Sequence, residues 1–301
     1  MALILALVKA DAQYDPSLSH YFDLETGFNP AAAGKQNLVN IAAAYALDMA
    51  GFEHNPRTLY VSGDLPLYFM RAWHGAGAQV MSEKIGLFTH QKIGLQYARK
   101  FKLWGGKLSV GAQLGLINEK FSGSGVDTEE PDPAFPKADV SGYGLDVGAG
   151  LYYTRGQWYA GVSVMHATSP TIRLENSELK IDRSYYLTGG YNIKLRNPFV
   201  TIKPSLLFKT DLLNWRADLT GRVVYTNEKR VLYAGATYSP ANSVTFLVGG
   251  SFHGVLLGYS YELYTSAINP GNGSHELYIG YRTTLNFGPK GHNKHKSVRI
   301  L

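Results

Sequence analysis

The chain has no cysteine, which excludes a disulfide framework and a thiolate metal site. It has no long apolar run either: nothing approaches the roughly 18 consecutive apolar residues of a membrane-spanning helix. Charged residues are sparse, at 17% of the chain. The net charge of +6 is modest and mixed. Basic residues cluster only near the C-terminus, so the concentrated basic face that nucleic-acid binding requires is missing. Hydrolase signatures are missing too: there is no G-x-S-x-G and no H-E-x-x-H. The nine histidines are scattered, and nothing in the sequence implies a cofactor.

What the chain does have is alternation. In 276–287 (ELYIGYRTTLNF), one face carries Leu277, Ile279, Tyr281, Thr283, Leu285 and Phe287. The other carries Glu276, Tyr278, Gly280, Arg282, Thr284 and Asn286. The same period of 2 recurs along nearly the whole chain, with almost no helix for the apolar faces to pack on. Lipid is the economical cover for those faces. In lipid every backbone group must be paired, so strands survive there only in a closed barrel. Abundant glycine (33) and tyrosine (21) fit that class, glycine for turns and interiors, tyrosine for interface girdles. The expected fold is therefore all-β: a transmembrane antiparallel β-barrel of the bacterial outer-membrane type, with about fourteen strands. These are placed near 38–48, 56–64, 75–88, 91–101, 106–119, 141–153, 157–167, 185–194, 199–209, 216–226, 230–239, 243–251, 254–264 and 275–287. Pro204, inside one strand, marks a bulge or weak pairing. Tyr152, Tyr153, Trp158, Tyr159, Tyr185 and Tyr186 lie near strand ends and are assigned to the interface girdles.

Four segments follow. Residues 1–12 read as a signal peptide, with an apolar Ala2–Val8 stretch and a small-x-small cleavage site at 10–12, though without a basic start. Residues 13–37 lack any period and are broken by Pro16, Pro30 and Gly34. They form an N-terminal periplasmic segment with scope to reach into the barrel. Residues 38–287 form the barrel, and 288–301 a basic tail. Strand parity places both termini in the periplasm. The long connections 120–140, 168–184 and 265–274 then face outside, while 154–156, 227–229 and 252–253 are tight periplasmic turns, as outer-membrane barrels prefer. Only 65–74 is expected to be long on the periplasmic side.

Candidate chemistry is thin. The loop around Asp127, Glu129, Glu130 and Asp132 clusters carboxylates as calcium sites do, but without EF-hand spacing and with prolines interrupting it. In the tail, Lys290, His292, Lys294, His295, Lys296 and Arg299 are either a solvated end or a docking peptide for an acidic partner or the cell wall. The inward charges Asp146, Lys203, Lys209 and Arg282 either line a pore or cross-brace a plugged lumen.

Several stretches together resemble the PorP/SprF family of outer-membrane proteins of the Bacteroidetes type IX secretion system. QYDPSLSHYF…GFNPAAAG (13–34) is similar to the family's opening, and NPRTLYVSGDLPL (55–67) to its next segment. GYGLDVGAGLYY (142–153), WYAGVSVMH (158–166), YYLTGGYNIKL (185–195), IKPSLLFK (202–209), GYSYEL (258–263) and SHELYIGYR (274–282) follow in family order. His20, the acidic run 22–25 and Glu262 depart from it. The resemblance implies a non-enzymatic component that works with a periplasmic ring lipoprotein and its partner (PorK/PorN-like); the basic tail offers a handle for such a ring subunit or for a peptidoglycan-binding linker protein. A second branch, SprF-like, instead implies binding to the C-terminal domain of a secreted adhesin. An outer-membrane channel, with Lys203, Lys209 and Arg282 lining it, is the alternative from the residues alone.

Overall fold

The structure is a computed structural model that describes residues 15–36, 38–123, 139–175, 177–228, 230–266 and 272–284. The proposed signal peptide, the acidic loop at 127–132, Leu285, Phe287 and the basic tail lie outside these residues. Among them, 17 strands form: β1 (Val39–Leu47), β2 (Arg57–Phe69), β3 (Ala72–Ile85), β4 (Phe88–Leu103), β5 (Gly106–Phe121), β6 (Val140–Arg155), β7 (Trp158–Met165), β8 (Thr171–Leu174), β9 (Ser177–Lys180), β10 (Ser184–Tyr191), β11 (Ile193–Lys194), β12 (Val200–Thr210), β13 (Trp215–Asn227), β14 (Arg230–Ser239), β15 (Ser243–Phe252), β16 (Val255–Tyr264) and β17 (Ser274–Thr283).

Each barrel strand pairs antiparallel with its neighbours in sequence, β10 pairs with both β7 and β12, and β1 pairs with β17 to close the ring. β11 continues β10 after a break at Asn192, so the wall has the expected fourteen staves. β8 and β9 form a separate hairpin. Closure leaves no edge in the wall, which lets strands survive in lipid.

Burial alternates as the pattern requires. Leu114, Leu116, Leu145, Leu151, Leu277 and Ile279 are exposed on the outside, while Gln113, Glu119, Asp146, Glu276 and Tyr278 are buried inside. A cation at mid-membrane on the lipid face costs about 2–4 kcal/mol, less near the interface. Ile279→Arg is therefore expected to lower the folded, outer-membrane fraction several-fold. Unchanged levels of heat-modifiable barrel would show that this face does not meet lipid.

The girdle assignment needs correcting. Consecutive strand residues point to opposite faces, so neighbouring aromatics cannot share one. Tyr152 and Tyr186 are buried inside the barrel, and Tyr159 stacks on Tyr152 at 5.6 Å. Tyr153 and Trp158 remain together, with ring centroids 5.3 Å apart.

The expected long connection at 65–74 is also absent. β2 and β3 stay paired to Phe69↔Ala72, and the turn is Met70–Arg71, both at positive φ (48° and 60°). Two-residue hairpins require that hand of turn, which Asn-Gly usually signals. Met-Arg gives no such signal. Every connection at this end, where β1 begins and β17 ends, is now short. The long ones, 48–56, 122–139, 166–183 and 265–273, all lie at the other end. We call these the terminal end and the long-loop end.

Pro204 weakens pairing without a bulge. It pairs with Gly221 on β13. On the other side the ladder stops at Gly190↔Ser205 and resumes at Ile193↔Ile202 in the same register.

Candidate functional site: a lumen filled by the N-terminal segment

Residues 15–36 have no period because no regular element forms: they run through the barrel interior. Two short 3-10 turns, Glu25–Gly27 and Pro30–Ala32, keep the segment compact. Asn29 begins the second, its Oδ1 accepting from the Ala31 N–H at 2.9 Å. Its Nδ2 donates to the wall carbonyls of Leu151 (3.1 Å) and Val162 (3.4 Å). One amide thus shapes the segment and fastens it to β6 and β7.

Wall glycines make the fit possible. A Cβ at Gly75 would lie 1.9 Å from the Ala33 carbonyl oxygen, and one at Gly111 would lie 2.3 Å from the Ala31 nitrogen. Both neighbours are backbone atoms, with no flexible end to move aside. Ala31, Ala32 and Ala33 are buried against this wall.

Polar contacts fix the rest. The Ser19 and His20 amides donate to the Glu276 carboxylate at 2.6 and 3.0 Å. The His20 Nδ1 lies 2.6 Å from the same group, and the ring stacks on Tyr278. The Tyr21 hydroxyl meets Ser205 and Thr220, both at 3.0 Å. Gln96 donates to the Thr26 carbonyl (2.6 Å), and Ser163 to that of Phe28 (2.6 Å). The Gly34 amide donates to Asp64 at 2.8 Å. Buried backbone groups outside secondary structure need partners, and the polar wall supplies them.

Asp15 anchors the segment toward the long-loop end. Its carboxylate takes Lys92 at 3.1 Å, His166 at 3.1 Å and the Tyr186 hydroxyl at 2.5 Å. His166 turns its other nitrogen to Asp146 at 2.9 Å. Both ring nitrogens thus face carboxylates.

The inward charges singled out from sequence fall as follows. Asp146 orients His166. Lys209 donates to the Asp15 carbonyl at 2.6 Å and to Ser17 Oγ at 3.1 Å. Arg282 pairs with Asp23 at 2.8 Å and donates to Asn40. Lys203 is half-buried, with Arg222, Asp23, Arg282 and Lys35 as its charged neighbours. The six tail residues from Lys290 to Arg299 lie outside the described residues. Sequence reasoning missed Asp15, His20, Asn29, Lys92 and Glu276. The one available signal was the 13–34 motif, whose Asp15, Asn29 and Ala31–Gly34 make the wall contacts.

The long-loop mouth carries a second filling. β8 and β9 fold inward, and Ile172, Leu174 and Ile181 pack on Ile117 and Val140. Gly142 and Gly144 leave the space for Ile172.

The family description "Type IX secretion system membrane protein PorP/SprF" matches residues 10–281. The chain belongs to the PorP/SprF family. No curated protein gives a sequence match. Among solved structures, the chain is similar to the CymD monoaromatic hydrocarbon channel, at a TM-score of 0.51 and 11% identity over 85% of this chain and 91% of that one. It is similar also to a Pseudomonas aeruginosa FadL homologue, at 0.48 and 12% over 86% and 93%. At such identities the likeness concerns the fold, an outer-membrane β-barrel. This PorP/SprF member is thus a type IX secretion membrane protein built as a fourteen-strand barrel around its own N-terminal segment.

One titrating group outside the strands gives a pH test. Asp48, just after β1, has its carboxyl pushed up to about 7 by burial, then by Glu262, Glu276 and Glu83 nearby. The folded protein keeps a proton that the unfolded chain releases above about pH 4, so stability falls as pH rises from about 4 to about 7 and stays lower above that. Asp48→Asn should flatten this slope. Urea midpoints of the folded barrel at pH 5 and pH 8 check it: an unchanged slope in the variant would assign the titration to other groups.

Proposed function

We propose that this protein acts by binding, without catalysis, as an outer-membrane anchor that docks the periplasmic ring lipoprotein and its partner to the membrane. The observation that carries this reading is the filled lumen. Residues 15–36 thread the barrel and are held by ion pairs and hydrogen bonds toward both ends, so they occupy the space a solute would cross. The barrel's value to a secretion machine then lies in its faces. The loop-length rule makes the terminal end, with its short turns, the periplasmic one in this reading, and among the described residues its connections are short.

A crosslinked pull-down of the tagged protein from detergent-solubilised outer membranes, read by mass spectrometry, tests this. Ring subunits and a peptidoglycan-binding linker protein are the expected companions. One dominant secreted surface protein would instead move this chain to the branch that holds an adhesin's C-terminal domain. A barrel recovered alone and conducting in bilayers would overturn docking in favour of a channel.

A further inference from the structure

The two ends of the barrel treat cations differently. At the long-loop end and in the adjoining lumen cations have carboxylates close by: Lys92 pairs with Asp15, Lys120 with Asp139, Arg173 with Glu178, Lys180 with Asp182, and Arg216 with both Asp218 and Glu262, while the cross-strand partners Arg57 and Lys84 make no ion pair among the described residues but share a cleft with Glu53. At the terminal end, exposed Arg71, Lys102, Lys107, Arg155, Arg196 and Arg230 stand on or beside the turns all round the rim. None makes an ion pair among the described residues. The only carboxylate in those turns is Glu228.

Two details show that this arrangement costs the free protein something. Lys102 and Lys107 are direct cross-strand partners on β4 and β5, a like-charge pairing that destabilises a sheet. With Arg155 they line a cleft of about 450 Å³, whose other walls are turn glycines and Thr154. The cleft thus gathers three cations and no acid. Inside the terminal mouth Glu25 is taken up by Lys35, and Asp64 by the Gly34 amide and Asn40. In the terminal mouth, Lys203, Arg222 and Arg282 gather around Asp23. The Arg222 guanidinium lies over the Phe22 ring at 3.3 Å, and its buried Nε has no hydrogen-bond partner among the described residues.

We infer that the terminal rim is an electrostatic docking surface for an acidic protein face, which caps the mouth and supplies the missing carboxylates. Phospholipid phosphates could neutralise the outward rim, but they cannot reach the interior-facing Lys203 and Arg222. A protein lying across the end reaches both sets. Complementary potential of this kind speeds encounter and fixes orientation, and it weakens with salt. The inference rests on the docking reading above and names its surface: the rim of the barrel rather than the basic stretch that follows it in sequence.

The test uses full-length tagged protein carrying Lys102→Glu, Lys107→Glu and Arg155→Glu together, with the three-fold Gln variant as the milder form. Heat-modifiable migration on gels confirms folding, and crosslinked recovery of ring subunits is scored per barrel. Recovery is expected to fall about tenfold in the Glu variant and less in the Gln variant, with wild-type recovery falling as salt rises from 0.05 to 0.5 M, as screening of exposed charges requires. Wild-type recovery that persists unchanged in both variants overturns the rim while leaving docking intact. A different identified acidic protein, lost with the rim charges, would keep the rim and overturn the ring assignment. Wild-type barrels that recover no protein, while their association with phosphatidylglycerol vesicles depends on the rim, would overturn both and make the surface a lipid collar.

Discussion

Removal of residues 15–36 is expected to turn a closed barrel into a conducting one. An eight-strand barrel is filled by its own side chains, and porins of about sixteen to eighteen strands leave an aqueous channel. Fourteen strands sit between these, and here the difference is made up by Tyr21, Phe22, Leu24, Phe28 and Ala31 to Ala33, all buried inside the wall. The wall that would be uncovered is polar: Thr58, Ser62, Gln79, Gln96, Gln113, Thr188, Thr220 and Thr245 are buried and face inward. Water would hydrate these groups readily once the segment is gone. Planar-bilayer recordings should therefore move from silence for the full chain to steady open-channel steps for the deletion. Gly75→Val and Gly111→Val give an independent route to the same state, since each would drive a side chain into the backbone at Ala33 or Ala31. A folded deletion variant that stays silent would show that the β8–β9 hairpin and the loops, rather than the N-terminal segment, close the barrel.

The wall was legible in the sequence and its filling was not, for a physical reason. Wall strands announce themselves locally, because lipid on one side and polar groups on the other impose a period of 2 over ten or more residues. Leu114, Leu116 and Gln113, or Leu145 and Asp146, could be assigned to faces from alternation alone. The same rule, applied strictly, separates Tyr152 from Tyr153 and Tyr185 from Tyr186; grouping them by nearness to strand ends ignored it. Residues 15–36 carry no such signal. Their conformation is set by contacts with distant parts of the chain: His20 with Glu276, Asp15 with His166, Asn29 with the carbonyls of Leu151 and Val162. No window of sequence contains both partners. For the same reason Asp146, Lys209 and Arg282 could be seen as inward charges, while what each one holds could not. The turn at Met70–Arg71 was hidden differently, since its hand is imposed by the strands it joins and not by its own residues.

Loss of the Asp15 carboxylate should have the largest effect of any single substitution in the interior. Asp15 is buried, and it is the only carboxylate paired with Lys92 among the described residues. Breaking a buried ion pair from one side costs about 3–5 kcal/mol, because the remaining charge is left without compensation. Asp15→Ala should lower the urea midpoint of the folded barrel accordingly and free the long-loop end of the segment for proteolysis. His166 would still hold Asp146, so the stranded charge is that of Lys92. Adding Lys92→Met should then recover much of the loss, since replacing both partners of a buried pair by apolar groups is often close to neutral. Lys209→Met offers the contrast. Lys209 donates to the main-chain carbonyl of Asp15, which Asp15→Ala retains, and meets the carboxylate only as a neighbouring charge, so its coupling to Asp15→Ala should be weaker than that of Lys92. A double-mutant cycle therefore separates the two contacts: strong coupling between positions 15 and 92, with clearly weaker coupling between 15 and 209, identifies the Asp15–Lys92 ion pair as the anchor. Equal additivity in both cycles would mean that the segment is held by its backbone and packing, and that the buried charges merely accommodate it.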